Sequence, residues 1–129
     1  MPTFQFNKLV RDKIVDQQIA SGARPKYHQL GDEEHKQELL KKITEEAKEI
    51  LAASADEVAS EIADVQQALD DLTEKLGLTR EDIAAAQQRK NDKAGPFKKG
   101  LYIDTVEMDE SDKWVAYFRE NAERYPEVA

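Results

Sequence analysis

The 129-residue sequence has no cysteine, five glycines, four prolines and a single tryptophan. Without cysteine, disulfide bonds and zinc sites built from thiolates are excluded. Because glycine and proline are the residues least favourable to helices, their scarcity leaves room for long, uninterrupted helices. No apolar run approaches the length of a transmembrane helix, and no apolar stretch near the N-terminus resembles a signal peptide. We therefore expect no membrane contact and a cytoplasmic location.

Positive charge is also scarce, since 19 Lys and Arg residues stand against 27 Asp and Glu residues, for a formal net charge of −8. This balance argues against nucleic acid as a partner, because nucleic-acid binding requires a basic surface. A small anionic substrate remains compatible with it, because a bound cation can invert the local field. The length fits one domain over residues 1–129, with a C-terminal extension over about 104–129.

The spacing of the apolar residues predicts an all-α fold, a helical bundle with short connections. Residues 23–31 are expected to form a loop, and residues 101–106 are β-prone without a clear assignment. Five helices are predicted. The first runs over about Lys8–Ser21 and ends before Gly22, and the second runs from its cap Asp32 to about Ala53. The third runs from the Ser54/Glu57 capping box to Leu76 before Gly77, the fourth from the Thr79/Asp82 cap to about Lys93, and the fifth from its cap Ser111 to a point before Pro126.

Two pairs of acidic residues lie on the second and third predicted helices. Glu46-x-x-Glu49 is followed, after eleven residues, by Glu61-x-x-Asp64. Residues three apart lie on one face of a helix. On a helical wheel of about 100° per residue, both pairs lie beside the apolar stripe of their helix and are displaced in the same rotational sense. Glu45 falls on the far face. On the third predicted helix the apolar stripe is centred near Val58, Leu69 and Leu76.

The matched displacement brings the four carboxylates together. A short loop makes the two helices antiparallel neighbours whose apolar stripes face each other. Such a pair is related by a two-fold axis, which places the matching edge of each stripe on the same side of the helix pair. Carboxylates crowded there would raise one another's pKa values, and a divalent cation relieves the repulsion. Oxygen-only ligands favour Mg²⁺, with Mn²⁺ as a possible substitute. The predicted metal ligands, which are also the predicted catalytic residues, are Glu46, Glu49, Glu61 and Asp64. The alternative is a solvated acidic helix face.

Basic residues form two groups that stand out in an acidic protein, one near the N-terminus and one after the predicted metal helices. Their functional interpretation is phosphate contact, and the alternative is solubility combined with favourable placement at a helix C-terminus. The candidate phosphate-binding residues are Lys8, Arg11, Lys13, Lys90 and Lys93. Trp114 and Tyr117 on the last helix are expected to pack rather than to stack on a base.

These motifs resemble the all-α nucleoside triphosphate pyrophosphohydrolases, the superfamily of MazG, dimeric dUTPases and phosphoribosyl-ATP pyrophosphohydrolase. Glu-Glu-x-x-Glu over residues 45–49, followed by Glu-x-x-Asp over residues 61–64, is similar to the motif of that superfamily. Residues 7–14 and 90–97 are similar to segments of one MazG-like branch, labelled phosphoribosyl-ATP pyrophosphohydrolase-like. Val15 stands where that branch commonly has proline, and Ala94 and Pro96 also depart from its pattern. The resemblance covers about residues 5–103.

The resemblance implies a MazG-like bundle built around an antiparallel helix pair, with a short C-terminal helical extension. It implies Mg²⁺-dependent hydrolysis of a nucleoside triphosphate to the monophosphate and pyrophosphate, in nucleotide-pool cleaning. It also implies Mg²⁺ at the four carboxylates and a homodimer or dimer of dimers with the pocket at an interface. Glu45 matches the motif too, but its place on the far face of the helix leaves it a supporting role at most. The alternatives are a phosphoribosyl-ATP pyrophosphohydrolase, a non-catalytic nucleotide-binding module and a plain helical interaction protein.

Overall fold

A computed structural model describes all 129 residues and contains five α-helices and no strand. The all-α prediction is therefore confirmed. None of the helices combines the length and the apolar character that crossing a membrane requires. The chain divides into two compact units, Met1–Asp92 and Lys93–Ala129. The helices are α1 (Ile14–Ala20), α2 (Asp32–Ala52), α3 (Val58–Lys75), α4 (Arg80–Ala94) and α5 (Trp114–Glu120).

The first unit is organised by the antiparallel pair of α2 and α3, the one pair of helices with an extensive mutual contact. The end of α3 meets the start of α2, where Lys75 Nζ lies 2.6 Å from Asp32 Oδ1. Leu39 of α2 and Ala68 of α3 are the two buried apolar residues of the chain. The seam between these helices is therefore narrow, and the carboxylate pairs lie along it.

Two local motifs separate α3 from α4 as the sequence predicts. Gly77 adopts a φ of 76°, in the left-handed region that favours glycine. Its N–H donates to the Glu74 carbonyl, and the Leu78 N–H donates to the Thr73 carbonyl, which is the Schellman arrangement. The predicted Thr79/Asp82 cap is confirmed, because each side chain accepts a hydrogen bond from the backbone N–H of the other residue.

The first helix is shorter than predicted. It begins at Ile14 rather than at Lys8, so the prediction is wrong over its first six residues. Asn7 has a left-handed φ of 47°, and the backbone carbonyl of Arg11 accepts a hydrogen bond from the Ile14 N–H in a turn that precedes the helix. The segment before α1 instead extends along the chain's own helix pair, where two of its basic side chains find acidic partners.

Two predicted helix caps are wrong. Gly31 precedes α2 and no side chain caps it, while Asp32 is the first helical residue and pairs with the far end of α3. The Ser54/Glu57 capping box does not form, because the Ser54 backbone carbonyl, not its hydroxyl, accepts the N–H groups of Glu57 and Val58. In both places a backbone turn or an ion pair replaces the side-chain cap.

The second unit is built around a cluster of aromatic rings on and after α5. The ring centroids of Trp114 and Tyr117 lie 5.6 Å apart in an edge-to-face arrangement, and those of Phe118 and Tyr125 lie 4.8 Å apart. Trp114 and Tyr117 thus contact neighbouring rings, while both remain partly exposed to solvent. The predicted Ser111 cap is wrong, since Asp112 Oδ1 accepts the Trp114 N–H at 2.8 Å. The β-prone residues 101–106 form no strand.

Candidate metal centre

The structure brings three of the four predicted ligands together across the α2–α3 seam. Each of Glu46, Glu61 and Asp64 offers a carboxylate oxygen, and these three oxygens all lie within 4.8 Å of one another. Glu46 comes from α2, and the other two come from one face of α3 because they are three residues apart. The convergence predicted from the helical wheel is found for these three side chains, which we call the carboxylate triad.

Glu46 is the most buried member of the carboxylate triad, with 7% of its surface exposed. Its position seven residues after Leu39, two helical turns along α2, puts it in the seam itself rather than beside it. Lys42, four residues earlier on the same helix, lies 3.3 Å from Glu46 Oε1. The sequence motif did not include Lys42, although the spacing of four between opposite charges would have indicated the pair.

Glu61 is the member of the carboxylate triad whose negative charge is least compensated by the protein. Burial, followed by the neighbouring carboxyls of Glu46 and Glu49, raises the pKa of the Glu61 carboxyl from 4.5 to about 7. Its Oε2 atom is buried and has no hydrogen-bond partner. A buried carboxylate oxygen without a donor is uncommon in proteins, because such an atom loses its hydration without compensation. A cation at this point would supply what the protein does not.

Asp64 is held by the segment that precedes α1. Arg11 Nη2 donates to Asp64 Oδ1 at 2.5 Å, across 53 residues of chain. Both side chains are partly exposed to solvent. Arg11, a predicted phosphate-binding residue, is thus paired with Asp64, a predicted metal ligand, and their opposite charges balance.

Glu49 and Glu45 lie beside the carboxylate triad. Glu49 is exposed and does not belong to the triad, although it is close enough to Glu61 to raise the pKa of that carboxyl. Glu45 Oε1 accepts a hydrogen bond from Lys8 Nζ at 3.0 Å, which lowers the pKa of Glu45 and raises that of Lys8. Together with Leu40 and Thr44, these two glutamates line an open groove of about 610 Å³ on α2.

The remaining predicted phosphate-binding residues are exposed and unpaired. Lys13 lies immediately before α1, and Lys90 lies in the last half of α4. Neither makes an ion pair with an acidic residue. Lys93 begins the second unit and is also exposed. Of the five candidates, only Lys8 and Arg11 lie against the acidic residues of α2 and α3.

The donors of the carboxylate triad fit a hard divalent cation. They are all oxygens, with no nitrogen or sulfur ligand in the group, which suits Mg²⁺ or Mn²⁺. The orphaned Oε2 of Glu61 supplies an observation independent of the acidic composition, because it is an acceptor that no protein donor reaches. A cation held by three carboxylates retains open positions for water and for phosphate oxygens.

Comparison of the chain with protein-family models, with curated proteins and with solved structures gave no match.

Proposed function

We propose that this chain is a Mg²⁺-dependent nucleoside triphosphate pyrophosphohydrolase of the MazG-like all-α superfamily, active in nucleotide-pool cleaning. The single observation that carries the proposal is the carboxylate triad of Glu46, Glu61 and Asp64 across an antiparallel helix pair. The resemblance of residues 45–49 and 61–64 to the motif of that superfamily adds the reaction class. The residues of the chain divide into a cation-binding group and a phosphate-binding group.

The cation-binding group consists of the carboxylate triad with Glu49 beside it. Glu46 is fixed by burial in the seam and by Lys42, so it would hold the cation in a defined position. Glu61 Oε2 has no competing donor and is free to act as a ligand. Glu49 is exposed and lies close to Glu61, so it would be available to a cation or a substrate bound there. Bound Mg²⁺ would neutralise the triphosphate and make water a stronger nucleophile at neutral pH.

The phosphate-binding group consists of basic residues that reach the same site. Arg11 and Lys8 lie against the acidic residues of α2 and α3, so they are placed to contact an anionic chain drawn to the cation. Arginine suits a two-point grip on phosphate, and lysine supplies a point charge. Hydrolysis adds water across a phosphoanhydride bond and yields nucleoside monophosphate and pyrophosphate, with the leaving group's charge balanced by these side chains.

A homo-oligomer is part of the proposal, and the exposed surface supports it. The chain exposes 11936 Å². A folded monomer of its mass, 14.7 kDa, would expose about 6,900 Å². The difference, about 5,000 Å² per chain, amounts to about 10,000 Å² over two chains, which exceeds the roughly 2,000–5,000 Å² that obligate interfaces bury in total. Only part of the excess can therefore belong to an interface. Ile62 and Leu69 of α3 and Leu76, which follows the last residue of α3, recur every seven residues and are all exposed. This makes α3 the natural contact for a second copy.

The experiment is a panel of standard and modified ribo- and deoxyribonucleoside triphosphates assayed with Mg²⁺, with pyrophosphate and orthophosphate measured separately. Pyrophosphate and nucleoside monophosphate in equal amounts, from at least one substrate, is the expected result. The panel should include phosphoribosyl-ATP, whose preferential cleavage would assign the narrower activity. Mg²⁺-dependent nucleotide binding without any turnover would replace the enzyme by a binding module.

A further inference from the structure

Two ion pairs fasten the segment of residues 1–13, here called the N-terminal arm, to both helices of the central pair. Lys8 Nζ lies 3.0 Å from Glu45 Oε1 on α2, and Arg11 Nη2 lies 2.5 Å from Asp64 Oδ1 on α3. The N-terminal arm contains no helix or strand of its own, and most of it is exposed. These two contacts are its only side-chain hydrogen bonds to the rest of the chain. The arm is therefore attached where the acidic residues gather.

The Arg11 contact uses a carboxylate that the cation site also needs. Asp64 Oδ1 accepts the hydrogen bond of Arg11, and Asp64 is one of the three carboxylates of the triad. Mg²⁺ requires its oxygen ligands at about 2.0–2.1 Å in a near-octahedral arrangement. A divalent cation bound to Asp64 would therefore lie within a few ångströms of a guanidinium carrying the same sign of charge. The two cations compete for one carboxylate.

We infer that Arg11 is an internal counter-ion of Asp64 that a divalent cation displaces, and that the released guanidinium then binds the phosphates of the substrate. This inference rests on the cation site of the proposed function. It assigns the N-terminal arm a second state, in which its attachment to α3 is exchanged for a contact with the ligand. The exchange conserves charge balance, because Asp64 gains a divalent cation and the phosphate gains the arginine.

The exposure of the pair favours the exchange. The Arg11 side chain is 58% exposed, so it can be rehydrated when it leaves Asp64. Exposed ion pairs add little to stability, because water and salt screen them. The cation gains more than Arg11 loses, since it also binds Glu46 and Glu61, neither of which Arg11 reaches through a hydrogen bond. The Arg11–Asp64 pair therefore weakens cation binding without preventing it.

The exchange makes the binding of cation and phosphate mutually favourable. Before the cation binds, Arg11 is occupied by Asp64. After it binds, Arg11 is free beside the site, and its guanidinium can form two parallel hydrogen bonds with phosphate oxygens. By linkage, phosphate that captures Arg11 also strengthens cation binding by the same factor. Without a bound cation, phosphate would bind poorly, because Arg11 is paired with Asp64 and four neighbouring acidic groups repel the phosphate.

The first test measures binding of Mg²⁺ alone by titration calorimetry, with no nucleotide present. Arg11→Gln should bind Mg²⁺ more tightly than the natural protein, by about fivefold or more, which is the lower end of the usual range for coupled events. Arg80→Gln is the matched control, because Arg80 forms an exposed pair with Asp70 elsewhere on α3. Lys13→Gln is the second control, because it removes the same charge from the same arm without breaking an ion pair.

The second test uses inorganic tripolyphosphate as a probe of the phosphate contact, titrated at saturating Mg²⁺. Arg11→Gln should lose about fivefold or more in affinity, and Arg80→Gln should match the natural protein. A substitution that tightens the metal and weakens the phosphate analogue cannot be explained by a general loss of structure. Thermal unfolding of both variants, followed by circular dichroism, should remain close to that of the natural protein because both arginines are exposed.

The possible outcomes separate this inference from the proposed function. Equal Mg²⁺ affinity in Arg11→Gln and the natural protein would overturn the exchange while leaving the cation site intact. Equal tightening in Lys13→Gln would also overturn it, because the cause would then be net charge alone. Unchanged tripolyphosphate affinity in Arg11→Gln would remove the phosphate contact. Absence of Mg²⁺ binding in every protein would overturn the proposed cation site, and the exchange with it.

Discussion

Glu46 on α2 and Glu61 on α3 face each other across the seam of an antiparallel helix pair, and each offers a carboxylate oxygen within 4.8 Å of the other's and of one from Asp64. Glu46 has Lys42 and Asp64 has Arg11, but the buried oxygen of Glu61 has nothing. The first prediction concerns that residue.

Removing the charge of Glu61 should stabilise the metal-free protein. The pKa of this carboxyl is raised from 4.5 to about 7, so between these values the folded state binds more protons than the unfolded chain. The free energy of unfolding therefore declines as the pH rises through this window, and the full destabilisation caused by ionised Glu61 is present above about pH 7. Glu61→Gln should raise the melting temperature at pH 8 without divalent cation, and should change it little at pH 4.

The same substitution should abolish the stabilisation that Mg²⁺ gives to the natural protein, because a ligand that binds only the folded state raises its stability. Thermal unfolding at pH 4 and pH 8, with and without Mg²⁺, measures both effects. Glu57→Gln is a suitable control, since Glu57 is an exposed carboxylate that precedes α3. A lower melting temperature for Glu61→Gln at pH 8 without metal would contradict the account.

Turnover should distinguish two neighbouring glutamates on α2. Glu49→Gln should lower kcat by more than about 100-fold if Glu49 is a metal ligand. Substituting a residue that merely hydrogen-bonds to a metal ligand already lowers metal affinity or activity by about 10–100-fold. Glu45→Gln makes the same chemical change four residues away, at a side chain paired with Lys8. Its effect should be clearly smaller. Steady-state kinetics on the best substrate of the panel measures both, and near-normal turnover in Glu49→Gln would remove it from the ligand set.

The exposed face of α3 should control self-association. Ile62, Leu69 and Leu76 present apolar surface at a seven-residue spacing. Leu69→Glu should shift the protein toward smaller species in sedimentation velocity, because it places a charge in the centre of this row. Gln67→Glu is the matched control, since it adds the same charge at an exposed position on another face of α3. A natural protein that sediments as a monomer at micromolar concentration would refute the proposed oligomer.

The sequence predicted the existence and order of the helices better than their ends. The Thr79/Asp82 cap and the glycine stop at Gly77 were readable because each is complete within a few residues. The start of α1 was not, because the residues at 8–13 owe their conformation partly to partners 37 and 53 residues away. A local pattern carries no information about contacts at that separation.

The helical wheel predicted the convergence of the carboxylates but misplaced the seam on α3. It centred the buried stripe on Val58, Leu69 and Leu76, whereas Ala68 is the buried residue and Leu69 and Leu76 are exposed. The helix carries more apolar surface than one partner can cover, so a single sequence could not reveal which part faces α2. The correction brings Glu61 closer to the seam, and its burial and raised pKa follow from that position.

The central claim is that Glu46, Glu61 and Asp64 hold one cation together, and binding of Mn²⁺ measured by electron paramagnetic resonance tests it most directly. The free ion gives a sharp signal that bound ion loses, so affinity is measured without substrate or turnover. The account predicts that the natural protein and Glu45→Gln bind Mn²⁺ with similar affinity. It predicts large losses in Glu46→Gln, Glu61→Gln and Asp64→Asn, of at least about tenfold each. Equal binding by all five proteins, or by none, would contradict it.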